Sequence, residues 1–445
     1  MNLGDFLSRI EGVPCSTAAA ELKRKSKDFF WFSPILSEQL KNCEADVVVC
    51  PRTVDEVIRV AAASAATGVP LTPRGGGTGN YGQAVPLQRG AVIDMTALDR
   101  LVSLEDGIAA VDAGKTLFSL EEELRTRGHE LRMFPSTWRQ ATIGGFVSGG
   151  TGGVGSVTWG GLREPGNLIE ATIVTVEAEP RIITLTGADC NVVNRTFGTT
   201  GLLVQLKIPA QPAVAWQDLL VVFDRFEDAV AFGGAFCRAQ GVQKRLCSIS
   251  DERIAAFYKP FAEWIPSGYS VAGLIVAPAG VLAAREMAAA HGGRVVLHRA
   301  TEAAEKGATP IYEIAFNHAS QHVLRRERGH TYLQSLYPSA DVLHALRAEL
   351  GEEVMWHHEM IGFDGGHSMN GLPVLKFTDA ARLEEVIAIH ERAGAPVANP
   401  HVFTVEDGSR YKRLPGDQLG FKREVDPKGL LNPGKMRTFT VAASG

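Results

Sequence analysis

Residues 144–161 read GGFVSGGTGGVGSVTWGG, nine glycines in eighteen positions, where 47 glycines in 445 residues predict about two. A second run, RGGGTGNYG from Arg74 to Gly82, holds five in nine. Glycine inside regular structure costs roughly 0.5–1 kcal/mol relative to alanine, so this density needs a backbone reason. One such reason is that main-chain N–H groups must approach an anion that side chains would hold away. Two unconstrained glycine loops are the alternative, and two clusters inside an ordered α/β pattern favour ligand binding.

Both runs contain a GxGxxG string, Gly77 to Gly82 and Gly150 to Gly155. The dinucleotide fingerprint also needs a helix starting there to receive a pyrophosphate. Gln83 to Leu87 and Ser156 to Gly161 hold turn-formers and strand-formers without helical periodicity, so no helix is expected after either run and a nicotinamide-type domain is excluded. No GxxxxGK[ST] occurs, which removes a P-loop.

Outward from these runs the chain alternates. Thr53-Val54-Asp55-Glu56 forms a capping box before a helix over 54–67, with Gly68 as its stop. Strands are expected at 69–72, 91–94, 108–111, 169–176, 182–185 and 201–208, and Thr116 caps a helix ending at Gly128. Beyond Pro212 a weak threefold repetition of strand, helix and strand begins at Leu219, Gly273 and Gly371, with helices near 226–239, 280–291 and 379–393. Such pieces build a sheet covered by helices on one face. The expected organisation is a helical lead-in over 1–39, an α/β domain over 40–211, a second domain over 212–395, and a closing segment over 396–445.

The net charge of −5 is too mild for a nucleic-acid or anionic-lipid footprint, and the apolar runs fall short of a membrane span. MNLGDFLSRIEGVPCS, broken by Asp5, Arg9 and Glu11, lacks a signal-peptide core, so a cytoplasmic protein is expected. Six scattered cysteines without a CxxC pair argue against zinc ribbons, iron–sulfur ligation and a disulfide framework.

Four segments, CPRTVDEVIRVAAASAATGVPLTPRGGGTGNYG, PSTWRQATIGGFVSGGTGGVGSVTWG, FGTTGLLVQLKI and DPKGLLNPGKM, stand in an order that resembles the flavoproteins with the FAD-binding fold of p-cresol methylhydroxylase and vanillyl-alcohol oxidase. The resemblance spans about Asp46 to Ile208 and about Gly371 to Met436. It implies an α+β fold: a PCMH-type FAD-binding domain of two α/β subdomains plus an α+β cap. It also implies that Pro73, Arg74, Gly75, Gly76, Gly77, Thr78, Gly79 and Asn80 grip the FAD pyrophosphate. Pro135, Ser136, Thr137, Thr142, Gly144 and Gly145 would line the flavin, with Gly149, Gly152 and Gly153 packed beside it. Ile208 would sit near the adenine, and Asn432 and Lys435 would complete the cofactor set. Family members that tether FAD through the first loop carry histidine where Thr78 stands, and Cys190 is not placed for a second tether, so dissociable FAD is expected.

The chain's ending resembles the glycolate oxidase and D-2-hydroxy-acid dehydrogenase branch, where HxGDGNxH and EHG segments hold a divalent metal. Here His367 to Val374 and Glu406-Asp407-Gly408 correspond, with the second histidine replaced by Val374. One imidazole and one carboxylate are thin for zinc, which takes three protein ligands in catalytic sites, so no metal is expected. His367 and Glu406 then become acid/base candidates, since removing hydride from an alcohol carbon also requires the hydroxyl proton to leave.

In Asn317-His318-Ala319-Ser320-Gln321-His322, the resemblance names His318 as a catalytic candidate and leaves His322 structural. His357-His358-Glu359 reads as a solvated turn. Arg325, Arg326, Glu327 and Arg328 read as a solvated helix face, from which an arginine could also clamp a carboxylate.

The expected function is FAD-dependent oxidation of a small alcohol or 2-hydroxy acid, with oxygen or an acceptor protein as oxidant. The alternatives are a non-redox C–O bond-forming enzyme of the alkyl-dihydroxyacetone-phosphate synthase type, and an electron-relaying subunit of a larger complex. A homo-oligomer is compatible with either.

Overall fold

The computed structural model describes residues 1–150, 152–407 and 416–440. Thr151 of the second glycine run and Gly408 of the Glu406-Asp407-Gly408 string lie outside the described residues. Helix Val54–Thr67 starts where Thr53 Oγ1 accepts the Glu56 N–H at 3.2 Å and stops at Gly68, whose φ of +69° suits a residue without a Cβ. The capping glutamate reaches one residue beyond the usual partner: Glu56 Oε2 accepts from the Arg52 N–H.

That helix packs on a four-stranded sheet ordered Cys15–Ser16, Val47–Val49, Ala91–Asp94, Leu71–Arg74, whose last three strands are parallel. A second, antiparallel sheet runs Leu101–Glu105, Ile108–Asp112, Leu202–Pro212, Glu170–Val174, Ile182–Thr186, with His129–Leu131 on the far end of Leu202–Pro212. The strand expected from Gly201 to Ile208 therefore spans Leu202 to Pro212, its extra residues pairing with Ile108 and His129–Leu131.

A seven-stranded antiparallel sheet follows, ordered Arg294–Ala300, Gln217–Phe223, Ser270–Val276, Lys244–Ser250, His357–Phe363, Gly366–Gly371, Ser335–Tyr337. Alternate residues go to opposite faces. Leu219, Val221 and Phe223 pack under helices Phe226–Arg238 and Val281–Ala290. Leu220 and Val222 face a core shared with Phe134, Trp138, Ile311 and Ile314. One face is thus helix-covered and the other lies on the core shared with the antiparallel-sheet domain. The third expected repeat departs from the pattern: Val374–Lys376 pairs with His330–Tyr332 and Val354–Met355 in a separate small sheet. Pro373, lacking an N–H, separates it from Gly366–Gly371.

The second glycine run also differs from expectation. Thr142 Oγ1 accepts from the Gly145 N–H and opens helix Ile143–Gly149, and a single helical turn, Ser156–Trp159, follows Gly155. The glycines are used for backbone contact as well. A Cβ on Gly76 would lie 1.9 Å from Gln140 O, and one on Gly153 2.1 Å from Phe134 O. No parallel strand follows the short turn, so the dinucleotide βαβ unit is still not built.

The closing segment returns to the first sheet. Leu71 donates to Leu430 O and accepts from the Asn432 N–H. Among the described residues no helix is long and apolar enough to cross a membrane.

Candidate active site

A cavity of about 490 Å³ opens between the two glycine runs and the large sheet. All of Pro73 to Asn80 lines it, as do Pro135, Ser136, Thr137, Thr142, Gly144, Gly145, Gly149 and Gly152. The opposite wall comes from Phe316, Asn317, Gln334, Leu336, Asn370 and Leu372. Nothing lies within 4 Å of a Cβ built on Gly149, so a side chain there would stand in the cavity.

The N-terminal segment grips the first loop from behind. Phe29 N–H donates to Gly79 O at 2.7 Å, and buried Asp28 accepts from the Phe30 and Ala84 N–H groups. Burial pushes the Asp28 carboxyl up to about 6, against the lowering effect of Lys435, and burial draws Lys435 down to about 7. Lys435 donates to Gly82 O, while Asn432 donates to Gln83 O and Phe197 O. Both expected cofactor residues of the closing segment therefore sit behind the wall and hold the loop in place. Asn432 Nδ2 and Lys435 Nζ are thus bonded to backbone carbonyls.

Gly153 is likewise behind the wall, pressed on Phe134. Ile208, expected at the adenine, lies in the core of the antiparallel sheet opposite Ala109. The wall is reached instead by Gly201, Leu202 and Leu203, roughly 16 Å back along the same strand at the usual rise per residue.

None of His318, His367 and Glu406 is on the described wall. His318 is adjacent to Asn317, but successive helical residues diverge by about 100°, and its Nδ1 lies 2.8 Å from Glu313 Oε2. His367 is three positions, about 10 Å, from Asn370 on an extended strand. Burial, then Arg238 and Lys244, holds its pKa low. Glu406 Oε1 accepts from Thr438 N–H and Oγ1. No group of three His, Cys, Asp or Glu side chains gathers around a common point among the described residues.

His357, His358 and Glu359, read from sequence as a solvated turn, are fully buried on the inner strand His357–Phe363. Both sheet faces are covered at this triplet, although the far end of the strand, at Phe363, is exposed. Glu359 Oε1 accepts from Ser248 Oγ at 2.9 Å and from the Phe316 N–H at 2.5 Å, and lies 2.8 Å from His357 Nε2. His357 Nδ1 meets Ser250 Oγ, which lies 2.5 Å from Tyr258 Oη. This network ends on the wall, because Phe316 and Asn317 line the cavity. Phe316 has φ +51°, a left-handed conformation uncommon for a bulky residue. The Asn317 Oδ1 is buried without a partner. Sequence reading missed Asn317, Gln334, Asn370 and Arg195; the polar residues within apolar strand and helix patterns were the available signal.

Arg74 and Arg195 are the charged side chains on the described wall, which holds no carboxylate, lysine or histidine. Arg74 is spent on the carbonyls of Lys25 and Lys27. Burial raises Tyr81 to about 12, so it keeps its proton at neutral pH.

Residues 45–186, which carry both glycine runs, match the protein family described as "FAD binding domain". The chain carries an FAD-binding domain. Its glycine-lined, carboxylate-free cavity fits that dinucleotide. D-2-hydroxyglutarate dehydrogenase of Escherichia coli is 36% identical over 121 residues, 26% of this chain and 12% of that protein. D-lactate dehydrogenase of Archaeoglobus fulgidus is 32% identical over 142 residues, 32% of this chain and 31% of that protein. The chain thus spans less than a third of either relative. An alkyldihydroxyacetonephosphate synthase structure superposes on the whole α+β architecture, with a TM-score of 0.74, 14% identity, and 98% of this chain and 85% of that one covered. A Physcomitrella patens BBE-like 1 variant gives 0.65 at 14% identity, covering 97% and 98%. The fold around the FAD-binding domain is the PCMH type.

Proposed function

We propose that the protein oxidises the hydroxyl-bearing carbon of a small 2-hydroxy acid, passing a hydride to non-covalent FAD, which oxygen or an acceptor protein then reoxidises. The observation that carries this reading is the charge of the wall: it bears arginine and lacks any described carboxylate, so it accepts an acid substrate that an acidic wall would repel. The names of the two dehydrogenase relatives point the same way.

Bound FAD supplies the hydride acceptor. The chain's part is to hold, orient and deprotonate. The glycine loop and the Pro135–Thr137 segment cradle the cofactor, and the amides of Asn317, Gln334 and Asn370 offer neutral hydrogen bonds to the substrate hydroxyl. The described wall has no base of suitable pKa, so the hydroxyl proton has to leave it. We assign His318 as the acceptor, next to Asn317 and steadied by Glu313. His367 and Glu406 carry no part of this reading.

Non-covalent binding rests on Thr78, a hydroxyl on the wall, and on Cys190. That thiol is buried, donates to Leu185 O, and is pushed by burial up to about 11, far from a reactive thiolate. Acid denaturation should leave all flavin in the supernatant.

The test is anaerobic mixing of purified yellow protein with a panel of D- and L-2-hydroxy acids and simple alcohols. Bleaching by a hydroxy acid supports oxidation. A flavin that no candidate bleaches would overturn it and favour the non-redox or electron-relaying alternatives.

A further inference from the structure

Arg195 occupies an unusual position for a cation. It lies on the wall of the cavity, half-buried, in the sequence Asn194-Arg195-Thr196-Phe197. Its backbone is left-handed, φ +58°, and its N–H donates to Val147 O. Gly150 presses against it so closely that a Cβ there would lie 2.2 Å from Arg195 Cβ. The root of the side chain is therefore fixed, yet the guanidinium has no ion pair and no hydrogen-bond acceptor among the described residues. The charges around it make this worse. Arg163 is a second cation in its surroundings, and Tyr81, its other titratable neighbour, is neutral at pH 7. Arg74, the other arginine on the described wall, has its Nη1 bonded to the carbonyls of Lys25 and Lys27.

A partly desolvated cation without a counter-charge is costly, and a guanidinium forks readily onto two oxygens of one anion. We propose that Arg195 is the anion-binding residue of the cavity, taking the carboxylate of the substrate or a phosphate of the cofactor in a bidentate contact. The proposal rests on the reading of this cavity as the substrate and FAD site.

The two sources share one chemistry and separate in one experiment on wild type, Arg195→Met and Arg195→Lys. FAD affinity is titrated into apoprotein by fluorescence quenching. Oxalate affinity is read in the FAD-loaded protein by its perturbation of the flavin absorbance. Both substitutions keep a Cβ and unbranched stem at the left-handed position, and thermal melts of the apoproteins check the fold. The expected result is a loss of about tenfold or more in one affinity with methionine, only partly restored by lysine, whose point charge lacks the fork. Loss confined to oxalate identifies the carboxylate role, and loss confined to FAD the phosphate role. Folded Arg195→Met with both affinities unchanged overturns the proposal, as does an equal loss in the two variants together with a fall in melting temperature. If no hydroxy acid bleaches the wild-type flavin, the oxidation reading fails on its own while the FAD titration still tests Arg195.

Discussion

The carboxyl group of Glu359 accepts the backbone N–H of Phe316 at 2.5 Å, so a buried polar side chain on an inner strand of the large sheet pins a left-handed residue on the cavity wall. Strained backbone persists where its surroundings over-determine it. Here Ser248 and His357 hold the carboxylate from other directions.

Glu359→Ala strands two groups at once, the Phe316 N–H and His357 Nε2, and leaves Ser248 Oγ only its 3.3 Å contact to Ile314 O. Loss of about 3 kcal/mol or more is expected, in the range for breaking a buried charged network. Glu359→Gln keeps a carbonyl acceptor for Phe316 and should retain most of the stability. Denaturant titration of the three proteins decides this, and equal stability of wild type and the alanine variant would dismiss the network as an anchor.

Gly149 and Gly76 should fail differently. Gly149→Leu has room in the apoprotein and gains helix propensity, so melting should hold while bound flavin falls by about tenfold or more as the side chain enters the cavity. Gly76→Asp places its Cβ against Gln140 O and should lose both stability and flavin. Flavin absorbance per protein and apoprotein melting temperature are the two readouts. Full flavin content in the Gly149→Leu protein would remove this cavity as the cofactor site.

The buried histidines set an acid sensitivity. Burial lowers His358 to about 3 and His401 to about 4, below the ordinary 6.5. Between pH 6.5 and 4 the unfolded chain takes up protons that the folded chain refuses, so the stability these residues contribute is lost as pH falls. Asp28 and Asp218, each raised to about 6 by burial, act oppositely between pH 4 and 6, so the wild-type profile is a partial cancellation. The informative quantity is the difference between wild type and His358→Leu. Neither His358 nitrogen has a hydrogen-bond partner among the described residues, so leucine costs little at pH 7.5. Across pH 6.5 to 4 the variant should gain relative to wild type with a slope approaching one proton, about 1.4 kcal/mol per pH unit. Urea midpoints that shift in parallel at every pH would refute the assignment.

His318→Ala tests the proton acceptor. Flavin reduction by substrate should slow by about 10² to 10⁴-fold while FAD content stays constant. An unchanged rate removes His318 from the mechanism.

Legibility followed the range of the interactions. The cap of helix Val54–Thr67 is Thr53 reaching three residues along the chain, and its stop is one glycine, so both were readable. The loop from Pro73 to Asn80 was readable for the same reason, since its composition alone demands close backbone approach. Asn317, the neighbour of His318, was not read as a wall residue, because a run of polar residues does not show which side of a helix a cavity lies on. The bonds of Asn432 and Lys435 to the carbonyls of Gln83, Phe197 and Gly82 were not readable, because they join segments hundreds of residues apart.

Local order along this chain, its capped helices, most strands and both glycine runs, was determined by the amino-acid sequence, because those choices depend on hydrogen bonds and backbone freedom within a few residues. The tertiary structure alone decided which groups share the cavity and which charges lose water. Glu359 meets Phe316 across 43 positions, Asn432 meets Phe197 across 235 and Asn80 meets Tyr332 across 252. Burial and charge pairing are sums over such distant neighbours, which is why a triplet that reads as solvated, His357-His358-Glu359, ends in the core, and why Arg195 ends on the wall without a counter-charge among the described residues.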